Sequence, residues 1–225
     1  MTLSARDRRR PVIFGEALVD VFREGDVAGG APFNVARHLA ALGLQPLFVS
    51  RLGDDARGRM LSAEMRRFGM DPSGVQVDPE HATGEVHVDE SAPGVHTFII
   101  PPDKAWDHVS AADALAALRA LPQPASVLYY GTLAQRHLSA REAVSRLRAE
   151  CPGLGWCDLN WREGHVAVDL ALEILRSARA LKVNEAELQM VLGWLGTHDP
   201  LLAHRPAVGQ QSDVVAQLCT DRSVV

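Results

Sequence analysis

The sequence predicts an α/β fold: a doubly wound, mostly parallel sheet with helices on both faces and a small β-hairpin set beside it. Two observations carry this. Short apolar runs alternate with helix-period segments through most of the chain, the pattern of a sheet whose strands are joined by helical crossovers. Glycines punctuate the alternation, as Gly43 and Gly69 do after two of the helical segments.

In order, Val12 to Val21 reads as a first strand, Phe33 to Leu42 as a helix closed by Gly43, and Pro46 to Leu52 as a second strand ending at Gly53, together one βαβ unit. Ala56 to Phe68 is a second helix stopped by a glycine. Thr83 to Asp89 and Val95 to Ile100 are extended runs around the turn Ser91-Ala92-Pro93-Gly94, a hairpin that cannot bury both faces alone and must pack on a ligand, a partner or the main sheet. The alternation resumes with helix Ala111 to Leu121, strand Ser126 to Gly131, helix Ala140 to Glu150 and strand Gly155 to Leu159. Helix Val166 to Ser177, strand Ala180 to Val183 and helix Glu185 to Trp194 follow, with one more helix over Ser212 to Leu218. The expected division is a flexible tail over 1–11, an α/β core over 12–82 and 101–225, and a β lid over 83–100.

Composition removes several function classes. The 225 residues are 47% hydrophobic and 23% charged, ordinary for a globular chain. No apolar stretch reaches the roughly 18 to 20 residues of a membrane span. A net charge of -5 with scattered basic residues excludes the electrostatic footprint of a nucleic-acid binder. The arginine-rich start has no apolar run behind it, so it does not read as a secretory signal. Cys151, Cys157 and Cys219 form no C-x-x-C pair, which fits reduced thiols in the cytosol. The nine histidines show no H-E-x-x-H or similar spacing, so the sequence gives no reason to expect a zinc site.

The most informative stretch is Gly29-Gly30-Ala31-Pro32-Phe33-Asn34-Val35-Ala36. Adjacent glycines let backbone approach a ligand closely, and the helix start behind them offers unpaired N–H groups. Asn34 can donate and accept at once, which suits a sugar hydroxyl. A plain tight turn with an N-capping asparagine explains the same residues. Asp20 falls at the end of the first expected strand, where open α/β sheets place ligand groups and a carboxylate can accept from two adjacent hydroxyls.

Three motifs in order resemble the ribokinase-like (PfkB) carbohydrate kinases, fructokinases in particular: Gly15-Glu16-Ala17-Leu18-Val19-Asp20, the Gly29 to Ala36 stretch continued by Leu39-Ala40-Ala41-Leu42-Gly43, and Leu52-Gly53-Asp54-Asp55-Ala56-Arg57-Gly58. The resemblance implies a small-molecule sugar held by Asp20, Gly29, Gly30 and Asn34, with ATP as co-substrate and Mg2+ as its metal. Thr83-Gly84-Glu85-Val86 and Gly94-Val95-His96-Thr97-Phe98 resemble lid strands that cover the sugar and meet a second subunit, which implies a homodimer through the hairpin. His87 and His96 are given no role.

Asp158-Leu159-Asn160-Trp161-Arg162 resembles the D-x-N-x-R motif of fructokinases and 2-keto-3-deoxygluconate kinases. If the chain stays extended, period-two spacing turns Asp158, Asn160 and Arg162 the same way, and Arg162 can fork onto a phosphate or sugar oxygen. A solvated strand edge is the other reading. Asn184-Glu185-Ala186-Glu187 matches N-x-x-E, which implies a phosphate-side Asn184 and an indirect, water-bridged role for Glu187 at magnesium. An N-capped helix with an acidic first turn suits it equally.

The family's Gly-Ala-Gly-Asp, whose aspartate is the base and whose backbone forms the anion hole, does not occur in these 225 residues. No catalytic base is therefore assigned. The expectation is a cytoplasmic kinase of fructokinase type, shortened at its carboxyl end and impaired or inactive, with a non-catalytic sugar-binding or dimerisation module as the alternative. An unpaired sheet edge and exposed apolar surface are expected to lower its stability or drive oligomerisation.

Overall fold

The computed structural model describes residues 10–92 and 95–198. The tail to residue 9, the helix expected over Ser212 to Leu218 and Cys219 lie outside the described residues. The main sheet has six strands in the order β10-β9-β8-β1-β4-β5, every pairing parallel. They are β1 (Val12–Phe14), β4 (Leu47–Gly53), β5 (Val75–Asp78), β8 (Val127–Gly131), β9 (Leu154–Asp158) and β10 (Ala180–Lys182). From β1 the chain winds first through β4 to β5, then returns to β8 and winds outward on the other side. This reversal makes the doubly wound class and opens a crevice at the carboxyl ends of β1 and β8.

Strand alternation sends side chains to two separate cores. Val12 and Phe14 enter one with Leu128, Tyr130, Cys157 and the helices α3 (Ala111–Arg119), α4 (Leu138–Glu150), α5 (Val168–Arg176) and α6 (Glu185–His198). Ile13, between them, enters the other with Phe48, Tyr129 and the helices α1 (Ala31–Ala41) and α2 (Ala56–Arg67). A one-residue register slip in β1 would exchange the two sets. On the α1 side, Leu154 and Trp156 of β9 stay about 40% exposed, so no described helix covers the sheet there.

The first expected strand is corrected. Val12 to Val21 is not continuous: it breaks at Gly15, whose φ is +152°, and resumes as β2 (Leu18–Phe22) in a different sheet. A Cβ at Gly15 would stand 2.3 Å from Pro32 Cγ, so the bend sits directly against the start of α1. After β2 the chain doubles back as β3 (Gly25–Gly29), a strand the sequence reading left unassigned. The hairpin β6 (Gly84–Ala92) and β7 (Val95–Ile99) then adds to these, β6 parallel to β2, giving a second sheet in the order β3-β2-β6-β7. The βαβ unit therefore contains an inserted β-ribbon, and the hairpin packs edge to edge on it.

This small sheet is tied to the core at its root. Gly84 lies so close to the buried Trp106 that a Cβ would meet Nε1 at 2.5 Å. Asp55 caps α2 through Gly58 N (2.7 Å) and reaches across to Thr83 N and Oγ1, both at 2.8 Å. Beside them Arg57 and Lys104 both pair with Glu85 of β6, Lys104 at 3.0 Å.

Candidate functional site

The crevice is built where β1 ends and α1 begins. Gly30 is the N-cap of α1 with φ +107°, a conformation that suits only glycine, and a Cβ there would collide with Glu16 O at 2.5 Å. This close approach brings the helix start onto the Gly15-Glu16-Ala17 bend. Asn34 sits in the first turn of α1 and is not its cap, so the N-capping reading is corrected. Its Oδ1 is buried without a hydrogen-bond partner.

Glu16 is 2% exposed, and its Oε2 is likewise buried and unpartnered. Burial raises its carboxyl to about 7, against backbone N–H groups of Glu16 and Ala31 and the charge of Arg162, which pull it down. Asp20, on β2, is half-buried; burial raises it and Arg162 lowers it. Asp20 is thus on the small sheet, not on the main-sheet strand the sequence assigned, and lies within reach of the Arg162 charge. Gly29, at the end of β3, lies under the Asp20 carboxylate, where a Cβ would stand 2.2 Å from Oδ2.

Asp158 closes the crevice from β9. Its Oδ2 accepts from Tyr129 Oη and from Lys182 Nζ (2.7 Å), while Oδ1 is buried and unpartnered. The Tyr129 hydroxyl is pushed up by burial and by that carboxylate, so it stays a donor. Asp158 also raises the carboxyl of Glu16, which puts the two acids in one field.

The extended geometry ends at Asp158. Asn160 turns into the left-handed region at φ +36°, so the period-two expectation does not carry to Asn160 and Arg162. Arg162 arrives by that turn instead, its guanidinium 5.9 Å from the Phe98 ring of β7 and its charge felt by both Glu16 and Asp20. One cation therefore links β7 with the acids of the β1 bend.

Asn184 and Glu187 form a reciprocal cap on α6. Asn184 Oδ1 accepts from Glu187 N at 2.8 Å and Glu187 Oε2 from Asn184 N at 2.9 Å. Glu187 Oε1 accepts from Trp161 N at 2.9 Å, fastening the turn that carries Arg162. Both carboxylate oxygens already serve backbone donors, so the residue fits a magnesium ion only through water, using the remaining lone pairs.

Sequence reasoning missed Glu16, Tyr129 and Lys182. Glu16 stood inside a quoted motif, and an acid flanked by the apolar runs Val12 to Phe14 and Ala17 to Val19 was the available signal. Tyr129 and Lys182 face Asp158 only because β8, β9 and β10 are neighbours, which no local pattern states.

A doubly wound sheet with a second, smaller sheet beside its switch point, and buried acid and amide oxygens without partners there, defines an α/β protein with a candidate polar-ligand site. The chain belongs to the pfkB family of carbohydrate kinases, whose family model matches residues 1–217. It is 32% identical over 191 residues to fructokinase-1 of Zea mays, covering 81% of this chain and 58% of that protein. It is 28% identical over 208 residues to the fructokinase of Klebsiella pneumoniae, covering 80% and 62%. Its fold is that of the fructokinase of Xylella fastidiosa solved with bound ATP, with a TM-score of 0.77 at 22% identity over 94% of this chain and 65% of that one. It is also that of the aminoimidazole riboside kinase of Salmonella enterica, with a TM-score of 0.70 at 23% identity over 93% and 67%. The chain thus spans less than two thirds of the curated relatives' length. No helix among the described residues is long and apolar enough to cross a membrane.

Proposed function

We propose that the chain forms the sugar-binding part of a fructokinase-like carbohydrate kinase, with a ketohexose held among Asp20, Gly29, Gly30, Asn34 and Glu16. The observation that carries this is that, among the buried oxygens without partners, Glu16 Oε2 and Asn34 Oδ1 belong to residues at the α1 start, with Asp158 Oδ1 on the phosphate side. Buried polar atoms are ordinarily satisfied, and two acceptors beside the α1 start suit a polyhydroxylated ligand that donates to each.

In this reading Asp158, Asn160, Arg162 and Asn184 form the phosphate side, and Glu187 meets Mg2+ through water while holding the Arg162 turn. Bound ATP with its metal would supply the phosphoryl group. The residues present bind and orient the sugar, and the second sheet, β6 and β7 above all, excludes water from it. The sequence holds no Gly-Ala-Gly-Asp, so the chain taken alone is proposed to bind sugar with phosphoryl transfer impaired or absent. The exposed Val27, Phe98 and Ile99 of the small sheet support a second copy meeting there, in keeping with a role in dimerisation.

The test is a thermal-shift series with fructose, 2-keto-3-deoxygluconate and ribose, each with and without Mg-ATP, since a ligand of the native state raises its stability. A shift with fructose and no further shift with ATP is the expected result. Stabilisation by ribose alone would reassign the substrate. An additional ATP shift would call for assay of the chain as an active kinase.

A further inference from the structure

Outside the crevice, the fold gathers three residues far apart in sequence. His81 precedes β6, while Asp103 and His108 follow β7, so the cluster sits where the hairpin leaves and rejoins the core. One donor atom from each lies within 4.8 Å of the others. Asp103 Oδ1 is 2.6 Å from His108 Nε2 and 3.8 Å from His81 Nε2. The two imidazoles are stacked face to face, ring centres 3.6 Å apart and 16° between their planes, so His108 must turn out of the stack for both Nε2 lone pairs to meet on one ion.

His81 has the support expected of a metal-ligating histidine. Its Nδ1 is 3.0 Å from Asp78 Oδ2, and a carboxylate on that nitrogen takes its proton in hydrogen bonding and leaves the Nε2 lone pair free. Asp78 is itself fixed: it is 1% exposed, its Oδ1 accepts from the N–H groups of Glu80 (2.8 Å) and His81 (3.0 Å), and Arg51 Nε lies 2.7 Å from Oδ2. Such second partners orient a ligand before any ion arrives. His137, whose ring centre is 4.5 Å from that of His108, is different. Its Nδ1 accepts from Ser139 N as the cap of α4, which leaves the proton on Nε2 and no lone pair for a cation.

We propose that His81, Asp103 and His108 form a binding site for a divalent transition-metal cation of the zinc or cobalt class, closing the root of the β6–β7 hairpin. Two imidazoles and one carboxylate suit these ions, whereas magnesium and calcium favour all-oxygen shells. The 2.6 Å contact is a hydrogen bond from His108 Nε2 to Asp103 Oδ1 whose proton the ion displaces, opening it towards the roughly 3.3 Å between neighbouring ligands of one tetrahedral ion, while the 3.8 Å pair closes to the same value. Asp103 is 71% exposed at its side chain, so water can complete the shell and the ion can enter from solvent. The expectation of no zinc site, drawn from local histidine spacing, is thereby revised, because these ligands come together only through the fold.

The experiment is titration of the full, chelator-treated chain with Co2+, followed by visible absorption and by calorimetry. One ion per chain is expected, with the absorption of imidazole-bound cobalt, and displacement by Zn2+. His108→Gln and Asp103→Asn should each weaken binding at least tenfold, Asp78→Asn by about tenfold, and His137→Gln should leave it unchanged. Circular dichroism in chelator shows which variants fold, and the wild-type titration stands without any of them. Absence of a cobalt spectrum in the wild type, or affinity unchanged in a folded His108→Gln or Asp103→Asn chain, overturns the proposal. Binding lost only in His137→Gln overturns the ligand set as well.

Discussion

The carboxylate of Asp20 lies over the α-carbon of Gly29, so that a Cβ at that glycine would stand 2.2 Å from Oδ2 and 2.9 Å from Cγ. The obstacle is the end of a flexible side chain, not backbone. Gly29→Ala should therefore move the carboxylate and leave the β2–β3 ribbon in place. We expect fructose affinity to fall about tenfold or more, the cost of one charge-assisted hydrogen bond, with the urea midpoint little changed. Isothermal titration of the variant checks this, and unaltered affinity would remove Asp20 from the sugar site.

Glu16 gives a pH dependence whose sign is fixed by its burial. Burial raises its carboxyl to about 7 in the folded chain, against 4.5 when free in water, so the native state holds the proton more tightly. Its contribution is most favourable below about pH 4.5 and declines as pH rises to about 7, by on the order of 3 kcal/mol. Glu16→Gln keeps the shape without the ionisation. Urea unfolding at about pH 5 and about pH 8 should show the variant gaining stability over wild type mainly at the higher pH. Equal differences at both pH values would mean that Glu16 is not titrating in this range.

Much of this was legible in the sequence because periodicity and glycine stops are local. The helices of the core and four of the six main-sheet strands, β4, β8, β9 and β10, fall within a few residues of their expected places, while β5 went unassigned. Where reading failed, long-range pairing had decided. Val12 to Val21 is one apolar run by pattern, yet Gly15 bends it into two sheets because Pro32 packs into the bend. β3 has only Val27 and Ala28 between glycines and an aspartate, too little apolar content to announce a strand that exists by pairing with β2. Of the motif residues, Gly29 lies against Asp20 and Gly30 against Glu16, whereas the histidine cluster was invisible because 22 positions separate His81 from Asp103.

Asp55 joins α2 to the root of the second sheet, and its loss should be felt in both. Burial alone would raise its carboxyl, but the N–H groups of Thr83 and Gly58 and the Thr83 hydroxyl outweigh it and hold it below the usual carboxylate range. Asp55→Ala removes an N-cap and leaves Thr83 N short of its partner. A loss of about 2 kcal/mol in urea unfolding is expected. Hydrogen exchange should localise the loosening to residues 83–86, and exchange confined to α2 would show that the bond to Thr83 contributes nothing.

Arg136 is the buried strut behind the same root. It forks onto Asp107 through Nε (2.8 Å) and Nη2 (2.7 Å), donates to Pro101 O at 2.8 Å, and its guanidinium lies 4.1 Å from the Trp106 ring centre. With side-chain exposures of 8% and 1%, neither partner can turn to water if the other is cut away. Arg136→Ala should cost about 3 kcal/mol or more, chiefly by stranding the Asp107 charge. Arg136→Lys should recover little, because an ammonium cannot reproduce the fork or the stack on Trp106. Replacing both partners, Arg136→Met with Asp107→Leu, should cost clearly less than the sum of the single changes. Additive costs in that double-mutant cycle would show that the guanidinium works through Trp106 and Pro101 and not through the ion pair.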